Sequence, residues 1–202
     1  MKYPEIFLIR HGETTWNRIG RHQGQLESVL TVNGINQIKG IARRLGREVK
    51  NWQSTSIASS PLFRCRQTAV ILCDELEINV DCIVYDDRLM ERCFGHWEGL
   101  TDTEISEKYP KEWTKRNLDP WLYSIPEGGE NYLELSYRVS NWLTDQKTNR
   151  PILIISHGQT GRVLRGLILG LSSSETMALP QPQASAYHLS NGKAYLLEGE
   201  YL

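Results

Sequence analysis

The chain has 202 residues, of which 40% are apolar and 23% are charged, and its formal net charge is −1 at pH 7. A chain of this size is expected to fold as one domain, residues 1–202, around a buried core. The near-zero charge and the lack of a run of lysines and arginines argue against nucleic acid or an anionic membrane as a partner. No segment approaches the ~18 consecutive apolar residues of a membrane span.

The first residues, MKYPEIFLIRH, contain too short an apolar run for a signal peptide. Cys65, Cys73, Cys82 and Cys93 have no C-x-x-C spacing, so we expect reduced thiols that mainly pack in the core. These features predict a cytoplasmic protein. The sequence does not decide between a monomer and an oligomer such as a homodimer.

Residues 5–17, EIFLIRHGETTWN, begin with the unbroken apolar run 6–9, which is typical of a strand buried on both faces. Arg10, His11 and Gly12 follow at its carboxyl end, where open α/β sheets bind their ligands. An imidazole beside a guanidinium could act as a nucleophile on an anion. The tripeptide alone is more typical of a simple polar exit from a strand than of a catalytic site.

Residues 13–30 are predicted to form a polar loop that lies over this sheet edge. Its His22 and Gln23 are as consistent with ordinary loop polarity as with ligand binding. A structural helix is predicted over 31–49, since its apolar positions recur with helical period: Ile35, Ile38, Ile41, Ala42, Leu45 and Val49.

Residues 54–69, STSIASSPLFRCRQTA, predict a short strand, a Ser-Pro break and a helix that carries Arg64 and runs to about Leu76. A further strand is predicted over 78–89. The following loop contains two carboxylates, Glu91 and Glu98. The residues alone do not rank these two, and either is also consistent with a solvated loop.

Two short helices, broken at Pro110 and Pro120, are predicted over 101–122. The next helix follows PEGGEN (126–131), and its Arg138 is expected to form a structural ion pair. The apolar positions expected to face the core are Leu133, Leu135, Val139, Trp142 and Leu143.

Residues 151–158, PILIISHG, give a second apolar run that ends in His157 and Gly158. An amphipathic helix is predicted from Thr160 to Leu171, and a hairpin is predicted around Asn191-Gly192. The expected fold is therefore α/β: a three-layer α/β/α sandwich around a mostly parallel sheet, with an antiparallel C-terminal hairpin at its edge.

Parallel strands that each deliver a histidine to one sheet edge would bring His11 and His157 together. With Arg10 and Arg64 beside them, they predict a pocket for a dianion that one imidazole can attack. Four motifs in this order, LIRHGET, SSPLFRCRQTA, LMERCFGHWEG and ISHG, resemble the histidine phosphatase superfamily, which is also called phosphoglycerate mutase-like. The resemblance covers residues 5–165.

The resemblance implies a metal-independent phosphomonoesterase that acts on small phosphorylated metabolites through a phosphohistidine. It implies His11 as nucleophile, Glu91 as proton donor and His157 as a further catalytic group. The implied binding residues are Arg10, Asn17 and Arg64 for phosphate, with Gln23 and Gly24 at the mouth of the pocket. No cofactor or metal is expected, since two arginines supply the charge that a metal would supply.

The resemblance also implies a lid-like insertion at about 97–130 that shapes the leaving-group site. Glu98 is then expected to be structural. The short chain favours a phosphatase over a phosphoglycerate mutase-type phosphotransferase, by analogy. A pseudophosphatase that only binds phosphorylated ligands is the alternative from another class of function.

Overall fold

A six-stranded sheet forms the centre of a computed structural model that describes residues 3–49, 52–183 and 185–200. Its strands are β1 (Ile6–Arg10), β2 (Ser56–Ser59), β3 (Ile83–Tyr85), β4 (Ile152–Ser156), β5 (Ser185–Ser190) and β6 (Lys193–Glu198). The spatial order is β3-β2-β4-β1-β5-β6. Strands β1 to β4 pair in parallel, whereas β5 and β6 pair antiparallel at the edge, so the predicted sheet is confirmed.

Helices cover both faces of the sheet. They are α1 (Thr15–Arg18), α2 (Val32–Glu48), α3 (Phe63–Glu75), α4 (Asp102–Lys108), α5 (Pro110–Leu118), α6 (Tyr132–Asp145), α7 (Gly158–Leu169) and α8 (Ser173–Ala178). Because successive side chains of a strand point to opposite faces, Phe7 and Ile9 pack with α2 and α3, while Ile6 and Leu8 pack with α6 and α7. The three predicted layers follow from this alternation.

The register of β1 and β4 places their carboxyl ends side by side. Arg10 pairs with Ser156, and the backbone N–H of His11 donates to the Ser156 carbonyl over 3.0 Å. His11 and His157 therefore leave the sheet at the same edge. The hairpin is also as predicted, since Asn191 and Gly192 both adopt positive φ, as the two-residue turn requires.

The strand predicted over 78–89 is wrong in its extent, because only Ile83–Tyr85 pairs with β2. Short 3₁₀ turns lie on either side, at Val80–Cys82 and Asp87–Leu89. The side chains of Asn79 and Asp86 accept hydrogen bonds from backbone N–H groups two residues on, and such local bonding competes with strand pairing.

Smaller differences concern the helices. The predicted loop 13–30 contains the short helix α1. Leu133, expected in the core, is 37% exposed, because it lies on the outer face of α6. The helix after β4 begins at Gly158 instead of Thr160, and it ends at Leu169 because Gly170 adopts a left-handed conformation with φ 68°. The two helices of the 101–122 segment are confirmed.

All four cysteines are free thiols. Cys65 lies in the core with its Sγ 3.4 Å from Nε2 of His157, and burial raises the pKa of its thiol to about 12. The Cys65 side chain is therefore an uncharged packing group. In the described parts of the chain, no helix has both the length and the apolar character needed to cross a membrane.

Candidate active site

His11 follows β1 directly and is buried. Its Nδ1 lies 2.8 Å from the carbonyl oxygen of Gly12. Because a carbonyl only accepts, Nδ1 carries the proton, and the neutral ring keeps a lone pair on Nε2. Burial lowers the pKa of His11 well below its ordinary value, and the charges of Arg64 and Arg10 lower it further. The arrangement provides an uncharged imidazole with one free nitrogen.

His157 lies beside His11, with the ring centroids 5.3 Å apart. Its Nδ1 accepts a hydrogen bond from Nε of Arg64 over 3.2 Å, so its Nε2 carries the proton and donates to Oγ of Ser60 over 2.7 Å. Burial, and then the charge of Arg64, lower the pKa of His157 well below its ordinary value. His157 is therefore neutral here, although the protonated form would assist a phosphate most.

Two arginines supply the positive charge of the site. Arg64 is fully buried, and its two terminal nitrogens donate to the carbonyls of Leu26 (2.8 Å) and Gly24 (2.6 Å). Arg10 donates from Nη1 to the Gln181 carbonyl over 2.6 Å, and its buried Nε has no hydrogen-bond partner within the described residues. Neither guanidinium is paired with a carboxylate of the described chain, so both charges can act on an anion.

Glu91 is buried at the N-terminal end of α7. Its Oε1 accepts from the backbone N–H of Arg92 (2.9 Å) and from the N–H and hydroxyl of Thr160 (3.1 Å each), and its Oε2 accepts from the N–H of Gln159 (3.1 Å). The predicted ion pair of Arg138 is present, with Glu130 at 2.6 Å. Arg138 also donates to the Glu91 carbonyl and fixes the backbone there.

Glu98, the other carboxylate of this loop, accepts from the backbone N–H groups of Gln25 (2.9 Å) and Phe94 (3.0 Å). It also lies against Gly24, where a Cβ would come within 2.0 Å of its Oε1. Glu98 thus joins two loops of the site, which fits the structural role expected for it.

A cavity of about 110 Å³ opens at this sheet edge. The predicted site residues on its wall are Arg10, His11, Asn17, Gln23, Gly24, Arg64 and Glu91. His157 is not on this wall. It contacts the site through Arg64, whose Nε donates to Nδ1 of His157. In Asn17, Oδ1 accepts from the N–H of Thr14 in the cap of α1, which leaves the amide N–H groups for a ligand.

Sequence reasoning missed several residues of the cavity wall: Arg21, Phe94, Gly158, Gln159 and Gln181. His22, for which loop polarity and ligand binding were equally consistent with the sequence, also lies on the wall. The sequence offered a signal for Gly158, which belongs to the second His-Gly pair, and for Gln159, which follows it. Arg21, Phe94 and Gln181 lie outside the helices and strands, and their approach to the site depends on tertiary packing.

The predicted insertion is joined to the loop after β1 at the mouth of the cavity. The backbone of His22 forms two hydrogen bonds with this segment, to Leu100 (2.9 Å) and from Gly99 (2.8 Å). Its Nε2 lies 2.7 Å from Oδ1 of Asp102, and Arg21 forms a two-pronged ion pair with Glu104. In the part of the chain that the structure describes, no group of three or more His, Cys, Asp or Glu side chains could hold a metal ion.

Comparison with known proteins agrees with this geometry. The model of the histidine phosphatase superfamily (branch 1) matches residues 6–194. A metal-independent phosphoserine phosphatase of Arabidopsis thaliana is 32% identical over 198 residues, which cover 94% of this chain and 78% of that protein. A probable phosphoglycerate mutase of Escherichia coli is 36% identical over 176 residues, which cover 83% of this chain and 75% of the mutase.

A solved structure of a mycobacterial glucosyl-3-phosphoglycerate phosphatase in complex with VO3 superposes with a TM-score of 0.77 at 28% identity, and the match covers 98% of both chains. The predicted phosphatase, acting on small phosphorylated metabolites, is confirmed at the level of the family and its relatives. The chain belongs to the histidine phosphatase superfamily, branch 1.

Proposed function

We propose that this chain hydrolyses phosphomonoesters through a phosphohistidine formed on Nε2 of His11. The observation that carries the proposal is the hydrogen bond from Nδ1 of His11 to the Gly12 carbonyl, which leaves Nε2 as the free nitrogen. It lies in a cavity with two guanidinium groups that form no ion pair with a carboxylate of the described residues. A neutral nucleophile beside fixed positive charge suits attack on a phosphate dianion.

In the first step, Arg10, Arg64 and the amide of Asn17 bind the phosphoryl oxygens. The lone pair on Nε2 of His11 forms a bond to phosphorus as the bond from phosphorus to the ester oxygen breaks. Protonated Glu91 gives its proton to the departing alkoxide, so the alcohol leaves neutral.

In the second step, the Glu91 carboxylate takes a proton from a water molecule, whose oxygen attacks phosphorus. The bond between phosphorus and Nε2 breaks, inorganic phosphate leaves, and His11 regains its lone pair. Glu91 is protonated again and ready for the next ester. The Glu91 backbone is held by Arg138, and its carboxylate is held at the start of α7, so it stays at the cavity through both steps.

The 97–130 segment is proposed to shape the site of the alcohol. Its contacts with His22 and Arg21 support this role, because they fasten it at the mouth of the cavity.

The named activities of the relatives support esters of phosphoserine or sugar phosphoglycerate type as substrates. Four free thiols support the cytoplasm as location.

An assay with p-nitrophenyl phosphate distinguishes an enzyme from a protein that only binds phosphate esters. The enzyme hypothesis expects turnover by wild type and loss of activity in Arg10→Ala and Arg64→Ala. The similarity to a probable mutase makes phosphotransfer the second candidate. Measuring both products separates the two: a phosphatase releases alcohol and inorganic phosphate in equal amounts, whereas a mutase returns the phosphoryl group to an acceptor. Wild-type protein without turnover of any phosphomonoester would overturn both enzymes.

A further inference from the structure

Arg165 is a buried arginine on α7, with 3% of its surface exposed. Its guanidinium lies over the ring of Tyr187, with Cζ 4.0 Å from the ring centroid. Its Nη2 donates to the carbonyl of Pro180, and its Nε donates to the Gly161 carbonyl over 3.4 Å. No carboxylate among the described residues forms an ion pair with it. Burying a charge without a counter-ion costs free energy. The hydrogen bonds of the Arg165 guanidinium must therefore offset the loss of its hydration.

The target of Arg165 is the segment 179–183, LPQPQ, which we call the strap. It connects α8 to β5. Arg162 fixes its first residue, since Nε donates to the Leu179 carbonyl over 3.2 Å, and Arg165 fixes the second. Two of its five residues are prolines, whose rings fix φ, so the strap has fewer backbone conformations open to it than a chain without prolines.

The other end of the strap binds the candidate catalytic residues. The Gln181 carbonyl accepts from Nη1 of Arg10 over 2.6 Å, and Nε2 of Gln183 donates to the His11 carbonyl over 2.7 Å. The Pro180 and Gln181 carbonyls belong to successive residues. The bond that Arg165 makes therefore fixes the peptide plane directly before the residue whose carbonyl holds Arg10.

The packing around this contact is close. Arg10 and Arg165 line the same small cavity of about 20 Å³, together with Gln181. A Cβ on Gly158 would lie 2.5 Å from Oε1 of Gln181 and 3.4 Å from Cζ of Arg10. Arg10 therefore has little freedom to adopt another position while the strap is in place.

We propose that Arg165 is a positioning residue of the phosphate site, which acts on Arg10 through the strap without touching the substrate. This inference rests on the proposed role of Arg10 as a phosphate ligand. It predicts that loss of the Arg165 guanidinium weakens the binding of any phosphoryl group, whatever alcohol is attached to it.

The test compares Arg165→Met with wild type in KM, in kcat and in the inhibition constant of inorganic phosphate. The inhibition constant and KM are expected to rise about tenfold, as for a displaced hydrogen bond to a charged group. Arg43→Met is the matched control, because Arg43 also donates to a backbone carbonyl, that of Glu200 at 3.0 Å, but away from the site. Unchanged phosphate inhibition in folded Arg165→Met would overturn the inference.

A double-variant cycle with Arg10→Ala, measured as the dissociation constant of inorganic phosphate because Arg10→Ala is expected to lose activity, separates positioning from general structural damage. If Arg165 acts through Arg10, Arg165→Met adds little to the loss already caused by Arg10→Ala. Additive losses would refute the inference.

Should Arg165→Met fail to fold, Pro182→Gly loosens the strap without removing a buried charge. This variant must also weaken phosphate inhibition, or the inference is wrong. An unimpaired Arg10→Ala would instead refute the proposed role of Arg10.

Discussion

Arg64 donates a hydrogen bond from Nε to Nδ1 of His157 over 3.2 Å, and this contact fixes the protonation state of the histidine. Nδ1 must accept, so His157 is neutral and its proton lies on Nε2. The same guanidinium lowers the pKa of both site histidines, after burial. The free site thus keeps its positive charge on arginines, where pH near neutrality does not change it.

The first prediction concerns stability against pH. In the folded protein the pKa of both His11 and His157 lies well below the unfolded value of about 6.5. Below pH 6.5 the unfolded chain therefore takes up protons that the folded chain does not. The free energy of unfolding should fall with decreasing pH by up to about 1.4 kcal/mol per pH unit for each histidine.

Urea denaturation of wild type, His11→Gln and His157→Gln at several pH values between 7.5 and 5 measures this dependence. Each variant should show a shallower decline than wild type. Parallel curves for all three proteins would show that these histidines do not resist protonation in the folded state.

The second prediction concerns metals. No group of described residues is suited to a metal, and Arg10 and Arg64 place two guanidinium groups on the wall of the proposed phosphate site. Activity should survive EDTA and gain nothing from Mg²⁺ or Zn²⁺, while vanadate should inhibit as an anion of five-coordinate geometry. Activity that disappears on chelation and returns with one specific metal would contradict the two-arginine account.

The third prediction uses two glycines with positive φ. Gly24→Ala would place a Cβ within 2.0 Å of Oε1 of Glu98, whereas a Cβ at Gly20 meets no atom of the described residues within 4 Å. Both variants bear the strain of a left-handed alanine, about 1–2 kcal/mol. Only Gly24 also offers its carbonyl to Arg64, at 2.6 Å. Gly24→Ala should therefore lose about 10- to 100-fold in kcat/KM, since hydrogen bonds to charged groups contribute about 1.5–3 kcal/mol.

Gly20→Ala is the control for backbone strain and should keep kcat/KM. Equal losses in the two variants would mean that strain in the loop, and not the position of Arg64, limits activity.

The fourth prediction concerns Glu91. Only a protonated carboxyl can assist a poor leaving group, and p-nitrophenolate needs little assistance. Glu91→Gln should slow the single-turnover burst of alcohol release strongly for alkyl phosphates and weakly for p-nitrophenyl phosphate. Glu98→Gln is the control, because Glu98 also accepts from backbone N–H groups but is not on the cavity wall, so its loss should affect stability more than the burst. If the two bursts slow equally in Glu91→Gln, another group is the acid.

The parts of the fold that the sequence predicted are those set by local patterns. Each of these parts has a local sequence pattern that specifies its backbone conformation. The patterns are the unbroken apolar runs of β1 and β4, the helical period of α2 and the Asn191-Gly192 dipeptide of the turn. The 78–89 segment was mispredicted because side-chain hydrogen bonds of Asn79 and Asp86 turn its backbone locally.

The residues around the site were harder to predict. The two strand-end histidines and Arg10 could be predicted because parallel strands share an edge. The strap could not, because Gln181 and Gln183 lie about 170 residues from Arg10 and His11, and they reach the site only through the packing of α7 and β5.

His11 is the residue proposed to carry the phosphoryl group. Brief mixing with a ³²P-labelled phosphomonoester, followed by quenching, should give wild-type protein a label that is stable in base and labile in acid, on a peptide that contains His11. His11→Ala should fold and remain unlabelled. An equal label on His11→Ala, or a wild-type label that survives acid, would contradict the account.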